Sequence, residues 1–120
     1  MTANEDLMLR VVEAFPELRP LLTEHLDDQE GELLPYLLMA DIERWSETQV
    51  TGNAHRISEL MTWFENAFSA GGEEIKDLIG VGFVEMLPHT PEGDPILRLL
   101  GPELREVASD MGLFTPAERN

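Results

Sequence analysis

The chain contains no cysteine among its 120 residues, and only 8 of them are Lys or Arg. The first absence excludes disulfides and thiolate metal sites, so a cytoplasmic location is the simplest expectation. The second leaves 24 acids poorly balanced, with a formal net charge of −16 and Lys76 as the single lysine. Because the basic residues are scattered, the chain lacks the basic patch that nucleic-acid binding or anionic membrane surfaces require. We therefore expect neither nucleic acid nor membrane as a partner.

Long apolar runs are absent as well. No stretch approaches the roughly 18 apolar residues of a membrane span, and the acidic start from Met1 to Asp6 is unlike a secretory signal. Hydrophobic residues nevertheless make up 42% of the chain and are spaced periodically, unlike those of a disordered acidic tail. The length predicts one domain with a single core, which we place at residues 1–114, and a frayed tail at 115–120.

The periodicity predicts helices throughout. Gly and Pro fall between the periodic segments, and alternating β patterns are absent. The predicted fold class is all-α, an irregular compact bundle of five to seven helices. The expected helices cover residues 5–15, 16–26, 33–49, 54–68 and 73–87, with short ones near 95–100 and 102–111. Gly80 and Gly82 weaken the fifth helix, so we expect a neighbouring helix or a partner to approach closely there.

Two acids stand out because they interrupt apolar patterns. The third helix has a predicted core-facing stripe of Leu34, Leu37, Leu38, Ile42 and Trp45. Asp41 falls in the middle of that stripe, and Glu85 lies in the otherwise apolar fifth helix. A buried carboxylate must be paired, hydrogen-bonded or protonated. Each is therefore either a structural ion pair or helix cap, or a group completed by a partner's cation. The structural partners considered are Arg10, Arg44 and Arg56.

Tyr36 is the opposite case, an aromatic residue outside the predicted core. It projects about 200° from the stripe, beside Glu43 and Glu47 on the outer face of the third helix. Tyrosine is enriched among residues that dominate binding energy, so Tyr36 is a candidate interface anchor. Trp45 and Trp63 lie on or near apolar faces and are expected to pack in the core.

Catalytic and metal-binding motifs are missing. His25, His55 and His89 lack the spacing of zinc helices or di-iron bundles, and we expect them to be surface or capping residues. An EF-hand loop with its glycine at Gly31 would place Leu26 at the first ligand position, which leaves only loose divalent-ion binding open. The sequence has no nucleophile elbow and no phosphate loop. We expect no enzyme, no cofactor and no metal site.

The acids themselves are the best candidates for binding. The segment from Glu24 to Glu32 contains no Lys or Arg, and with the acids at the start of the fifth helix it can form one negative surface. A solvated loop and a halophilic surface are the alternatives. The predicted partner-binding residues are Asp27, Asp28, Glu30, Glu32, Tyr36, Glu43, Glu73, Glu74 and Asp77.

Two stretches carry a family resemblance. The segments ELLPYLLMADIERW (Glu32 to Trp45) and DLIGVGFVEMLP (Asp77 to Pro88) resemble a family of small acidic bacterial proteins of unassigned biochemical role. Some members of such groups are regarded as immunity proteins of polymorphic toxin systems. The resemblance covers about half the chain and implies a bacterial, cytoplasmic protein encoded beside a toxin.

Charge and resemblance together predict an inhibitor. The expected function is that of an immunity protein, which binds a basic toxin domain and blocks its active site through acidic surface complementarity. The alternative is a helical adaptor for protein–protein interaction, in which the acids serve solubility only. The sequence leaves the oligomeric state open.

Overall fold

The computed structural model describes residues 1–117, which form seven α-helices, two 3-10 helices and no strand. This confirms the all-α prediction. Residues 118–120 of the predicted tail lie outside the described residues. The helices in chain order are α1 (Ala3–Ala14), a 3-10 helix (Pro16–Leu18), α2 (Arg19–Asp28), α3 (Pro35–Gln49), α4 (Ala54–Ala70), α5 (Glu73–Gly82), a second 3-10 helix (Val84–Met86), α6 (Asp94–Leu97) and α7 (Pro102–Asp110).

Local signals explain where several helices begin. The Thr2 hydroxyl accepts a hydrogen bond from the Glu5 N–H, and the Glu5 carboxylate accepts one from the Thr2 N–H, so α1 starts with a capping box. Pro35 and Pro102 are the first residues of α3 and α7, a position that needs no N–H donor. These starts lie within two residues of those expected from the sequence.

Helix α5 lies at the centre of the bundle and packs against α1, α3 and α4. Its buried side chains include Ile75, Leu78 and Ile79. A Cβ on Gly82 would lie 3.3 Å from the Met39 Cγ of α3, whereas one on Gly80 would have its nearest neighbour at 3.9 Å. The expected close approach therefore occurs at Gly82 and not at Gly80.

The prediction that the fifth helix continues to residue 87 is wrong. The α-helix ends at Gly82, because Phe83 has φ −120° and ψ −62°, and a 3-10 helix follows. The apolar side chains of this segment are not all buried. Val81 is 40% exposed and Met86 is 54% exposed, so one side of it reaches solvent.

Candidate functional site

Helix α3 faces the core with a different side from the one predicted. Its buried residues are Leu38, Met39, Ile42, Glu43 and Ser46. This face is rotated by about one residue, roughly 100°, from the stripe expected from the sequence. Ser46 tolerates burial because its hydroxyl donates to the Ile42 carbonyl, 2.7 Å away. The rotation turns Leu37, 51% exposed, and part of Trp45 outward.

The outward side of α3 forms one wall of a groove whose other wall is α2. Its lining residues are Leu21, Glu24 and Asp28 from α2 and Asp41, Arg44, Trp45 and Thr48 from α3. The volume of the groove, about 350 Å³, is at the lower end of the usual range for ligand sites. Leu37 lies one turn before Asp41 on the same side of α3. The groove thus combines apolar surface with three carboxylates.

The charge in this groove is negative and only partly compensated. Asp41 accepts a hydrogen bond from Arg44 Nη2, and their side chains are 37% and 66% exposed. Within the described chain, Glu24 and Asp28 have no ion-pair partner. Three acids therefore face one arginine. An added cation would be attracted to this groove, most strongly at low ionic strength.

The predicted acidic residues divide into two groups on either side of α3. Asp27 and Asp28 border the outer side of α2 next to Arg19, and Asp28 also lines the groove. Glu30 and Glu32 are exposed in the turn that follows α2. Glu73 and Glu74 are exposed in the first turn of α5, and Asp77 contacts α3. The groove therefore gathers the acids of α2 with Asp41, while the acids of α5 lie elsewhere.

Tyr36 is exposed, as expected, but its neighbour is not the one predicted. It is 41% exposed, and its hydroxyl donates a hydrogen bond to the Asp77 carboxylate of α5. This hydrogen bond and the negative charge of Asp77 raise the pKa of Tyr36 to about 12. By helical geometry Tyr36 lies about 140° around α3 from Asp41. It belongs to the α3–α5 side and not to the groove.

Two of the carboxylates lie where the sequence did not place them. Glu43, predicted on the outer face, is 3% exposed, because the rotation of α3 turns it inward. Burial and the neighbouring Glu47 raise its pKa to about 8. Glu85, a candidate buried carboxylate, is exposed in the second 3-10 helix. Asp41 is intermediate in exposure and is paired with Arg44, one of the arginines considered.

The three histidines differ in burial and in hydrogen bonding. His25 is buried, and its Nε2 accepts a hydrogen bond of 2.9 Å from the Leu34 N–H just before α3. His89 Nδ1 lies 3.0 Å from the Thr115 carbonyl oxygen, and the His55 side chain is 93% exposed.

Residues 1–117 contain no group of three or more His, Asp or Glu that could hold a metal ion. In the same residues no helix has the length and apolar content required to cross a bilayer.

Sequence reasoning missed the roles of Trp45 and Glu24 in the groove and of the neighbouring Leu37. Leu37 and Trp45 were assigned to the core, and Glu24 was noted only as part of the acidic run. Asp41 could have revealed the groove from the sequence, because a charged residue in the middle of an apparent core stripe indicates that the stripe borders solvent. Trp45 and Trp63 are partly buried and pack against the core, so the core prediction holds for part of each side chain.

Residues 8–113 match a family model described as a domain of unknown function, DUF7674. The match includes α2 to α7, and therefore both walls of the groove. No curated protein and no solved structure matches the chain.

Proposed function

We propose that this chain, which belongs to the DUF7674 family, is an immunity protein that binds a cationic toxin domain and blocks its active site. The observation that carries the proposal is the α2–α3 groove, where Glu24, Asp28 and Asp41 surround the partly exposed Trp45. Enzymes that act on polyanions, such as nucleases, have cationic clefts. An acidic surface that contains an aromatic residue complements such a cleft in charge and provides an anchor.

The mechanism has two stages. The net charge of −16 steers a basic domain toward the acidic side of the protein, and steering of this kind raises association rates by about 10- to 1,000-fold. In the complex, Leu37 and Trp45 supply apolar contact, and a cation from the partner reaches Asp41. Because Arg44 already pairs with Asp41, the partner's cation either displaces Arg44 or binds the remaining carboxylates.

The test compares two triple variants with the same change in charge. The groove variant is E24Q/D28N/D41N, and the control is E13Q/E106Q/D110N, whose residues are exposed on α1 and α7. Tagged proteins are used to recover partners from the source cells at low and high salt. Each captured domain is then tested for toxicity with and without co-expression of the chain.

The proposal expects one small basic domain to be recovered by the wild type and the control at low salt. The groove variant should recover at least about tenfold less, since three charges are removed from the contact. Co-expression of the wild type should suppress the toxicity of the captured domain. Equal recovery by both variants, or a captured domain without toxicity, would contradict the proposal.

The second candidate is a helical adaptor that binds an apolar peptide, with the acids serving solubility. The exposed side chains of Leu37, Val81 and Met86 favour it. Salt distinguishes the two, because apolar docking is nearly insensitive to salt whereas electrostatic association slows as salt rises. A partner retained at high salt and by the groove variant would support the adaptor.

A further inference from the structure

The buried carboxyl of Glu43 is an anomaly that partner binding does not explain. The residue is 3% exposed and lies on the core face of α3 with Met39 and Ile42. Its Oε2 is buried and has no hydrogen-bond partner among the described residues. A carboxylate held there as an ion would lose its hydration without full compensation, so the neutral acid is the favoured form.

Glu47, one turn further along α3, supplies the missing explanation. Glu43 and Glu47 are neighbours on one side of the helix, and two carboxyls placed in this way can share one proton when one of them carries it. Burial, followed by the proximity and charge of the Glu47 carboxyl, raises the pKa of Glu43 to about 8, while Arg44 opposes the rise. Because Glu47 is exposed, the proton belongs on Glu43.

Charged groups on the neighbouring helices face other surfaces or bond to other groups. From α2, Glu24 and Asp28 face the groove, and from α5, Asp77 bonds to Tyr36. On α1 and α4, the ionisable groups with partners are Glu5 (with Thr2), Asp6 (with Arg10), Arg56 (with Glu17 and Glu59), His55 (with Glu59) and Glu65 (with the start of α7). Glu13 of α1 is exposed. Glu47 and Arg44, both on α3, are the charged groups that act on Glu43.

The 88–96 segment, which follows the second 3-10 helix, lies beside the end of α3 at Glu47. Glu47 and Val50 share a small cavity with Pro88, Glu92 and Ile96. The cavity has a volume of about 120 Å³, well below the roughly 300 Å³ of the smallest usual ligand pockets. The cavity beside Glu47 is therefore too small for a typical ligand, which favours a contact within the fold over a binding site.

We propose that Glu43 and Glu47 form a carboxyl pair sharing one proton, which holds the second half of α3 against the 88–96 segment and releases it at alkaline pH. When the proton passes to solvent, two carboxylates one helical turn apart repel each other, and one of them is buried. Either Glu43 moves toward water or the 88–96 segment beside Glu47 loosens. The proposal does not depend on the identity of any partner.

The sign of the pH dependence follows from the two states of Glu43. The ordinary pKa of 4.5 applies to the unfolded chain, and the raised value applies to the folded protein. Between these values the folded state binds one more proton, so stability from this group is complete below about pH 4.5 and falls as pH rises through about 8. The folding equilibrium constant should fall up to about tenfold per pH unit in this window.

The experiment is urea unfolding from pH 5.5 to 9 with the wild type, Glu43→Gln, Glu47→Gln and Glu85→Gln. Glu43→Gln should lose the part of the fall in stability with pH that comes from residue 43, because glutamine is neutral at every pH. Glu47→Gln should reduce the slope, and Glu85→Gln, at an exposed site, should match the wild type. All other titrating groups are shared, so the difference between two profiles isolates the substituted residue. Parallel profiles of the wild type and Glu43→Gln would overturn the proposal.

Two measurements on the wild type keep the test independent of how well the variants fold. In a carbon NMR titration, the Glu43 carboxyl should change shift near pH 8, whereas a midpoint near 4.5 would refute a shared proton. In hydrogen exchange, the amides of residues 46–50 and 92–97 should open more at pH 9 than at pH 6 after correction for intrinsic rates. Unchanged opening of both segments would show that the pair does not hold the contact.

Discussion

The carboxylate of Glu65 lies directly against Gly101, where a side-chain carbon would come within 2.6–2.7 Å of it. From this position on α4 the carboxylate accepts hydrogen bonds from the Glu103 and Leu104 N–H groups, at 2.9 and 3.0 Å. These donors belong to the first turn of α7, which has no side-chain cap of its own. A distant acid thus caps α7, and its negative charge suits the positive end of the helix.

Loss of this cap should destabilise the protein measurably. Glu65→Ala is expected to cost about 2 kcal/mol, because two charge-assisted hydrogen bonds and a cap are lost. Gly101→Ala should cost a similar amount by displacing the carboxylate, and the double variant should cost no more than Glu65→Ala alone. Urea unfolding measures all three, with the exposed Glu106→Ala as the control. Additive costs in the double variant would disprove the shared cause.

Alanine substitution at two other glycines should change the stability of the protein in opposite directions. Gly80 is in the interior of α5, and a Cβ there would have Val107 Cγ1 as a neighbour at 3.9 Å, an ordinary van der Waals contact. Gly80→Ala should therefore raise stability by about 0.5–1 kcal/mol through helix propensity and a smaller entropy cost. At Gly93 a Cβ would lie 2.0 Å from the Pro88 carbonyl oxygen, so Gly93→Ala should cost about 1–3 kcal/mol or more. Thermal unfolding compares them, and a destabilised Gly80→Ala would contradict this account.

The starts of the helices could be predicted because their signals are local. Pro16, Pro35 and Pro102 mark new helical segments within one turn of sequence. The cap on α7 could not be predicted in this way, since Glu65 and Glu103 are brought together only by the packing of α4 against α7. Contacts of this kind depend on the whole fold, and no local pattern encodes them.

The candidate site was predicted in part, for a reason visible in α3. The sequence favoured Leu37 and Trp45 as core residues because of their size, and this set the orientation of the helix wrongly. The structure instead buries Met39 and Ser46 together with Glu43. A serine bonded to its own helix can enter a core, and burial favours the neutral form of a carboxyl that does so. Because serine and glutamate are polar residue types, they were not expected in the core. The side of α3 that lines the groove was assigned to the interior instead.

His25 should stabilise the junction between α2 and α3. Its Nε2 accepts the Leu34 N–H at 2.9 Å in a partly buried position. His25→Ala leaves that donor without its partner and removes a buried ring, so we expect a loss of about 2–3 kcal/mol in urea unfolding. His25→Gln, which keeps an acceptor, should recover part of the loss. His55→Ala, at a site 93% exposed, should have little effect, and equal losses in the two alanine variants would rule out this role.

Tyr36 should ionise at unusually high pH, because its hydroxyl donates to Asp77. It is the single tyrosine of the chain, so the phenolate absorbance in the near ultraviolet reports on it alone. The midpoint should lie near pH 12 in the wild type, and Asp77→Asn should return it toward 10. The folded pKa is the raised one, so stability from this contact is complete below about pH 10 and is lost as pH rises through 12. Circular dichroism at each pH must show that the protein remains folded, and equal midpoints in the two proteins would exclude Asp77 as the cause.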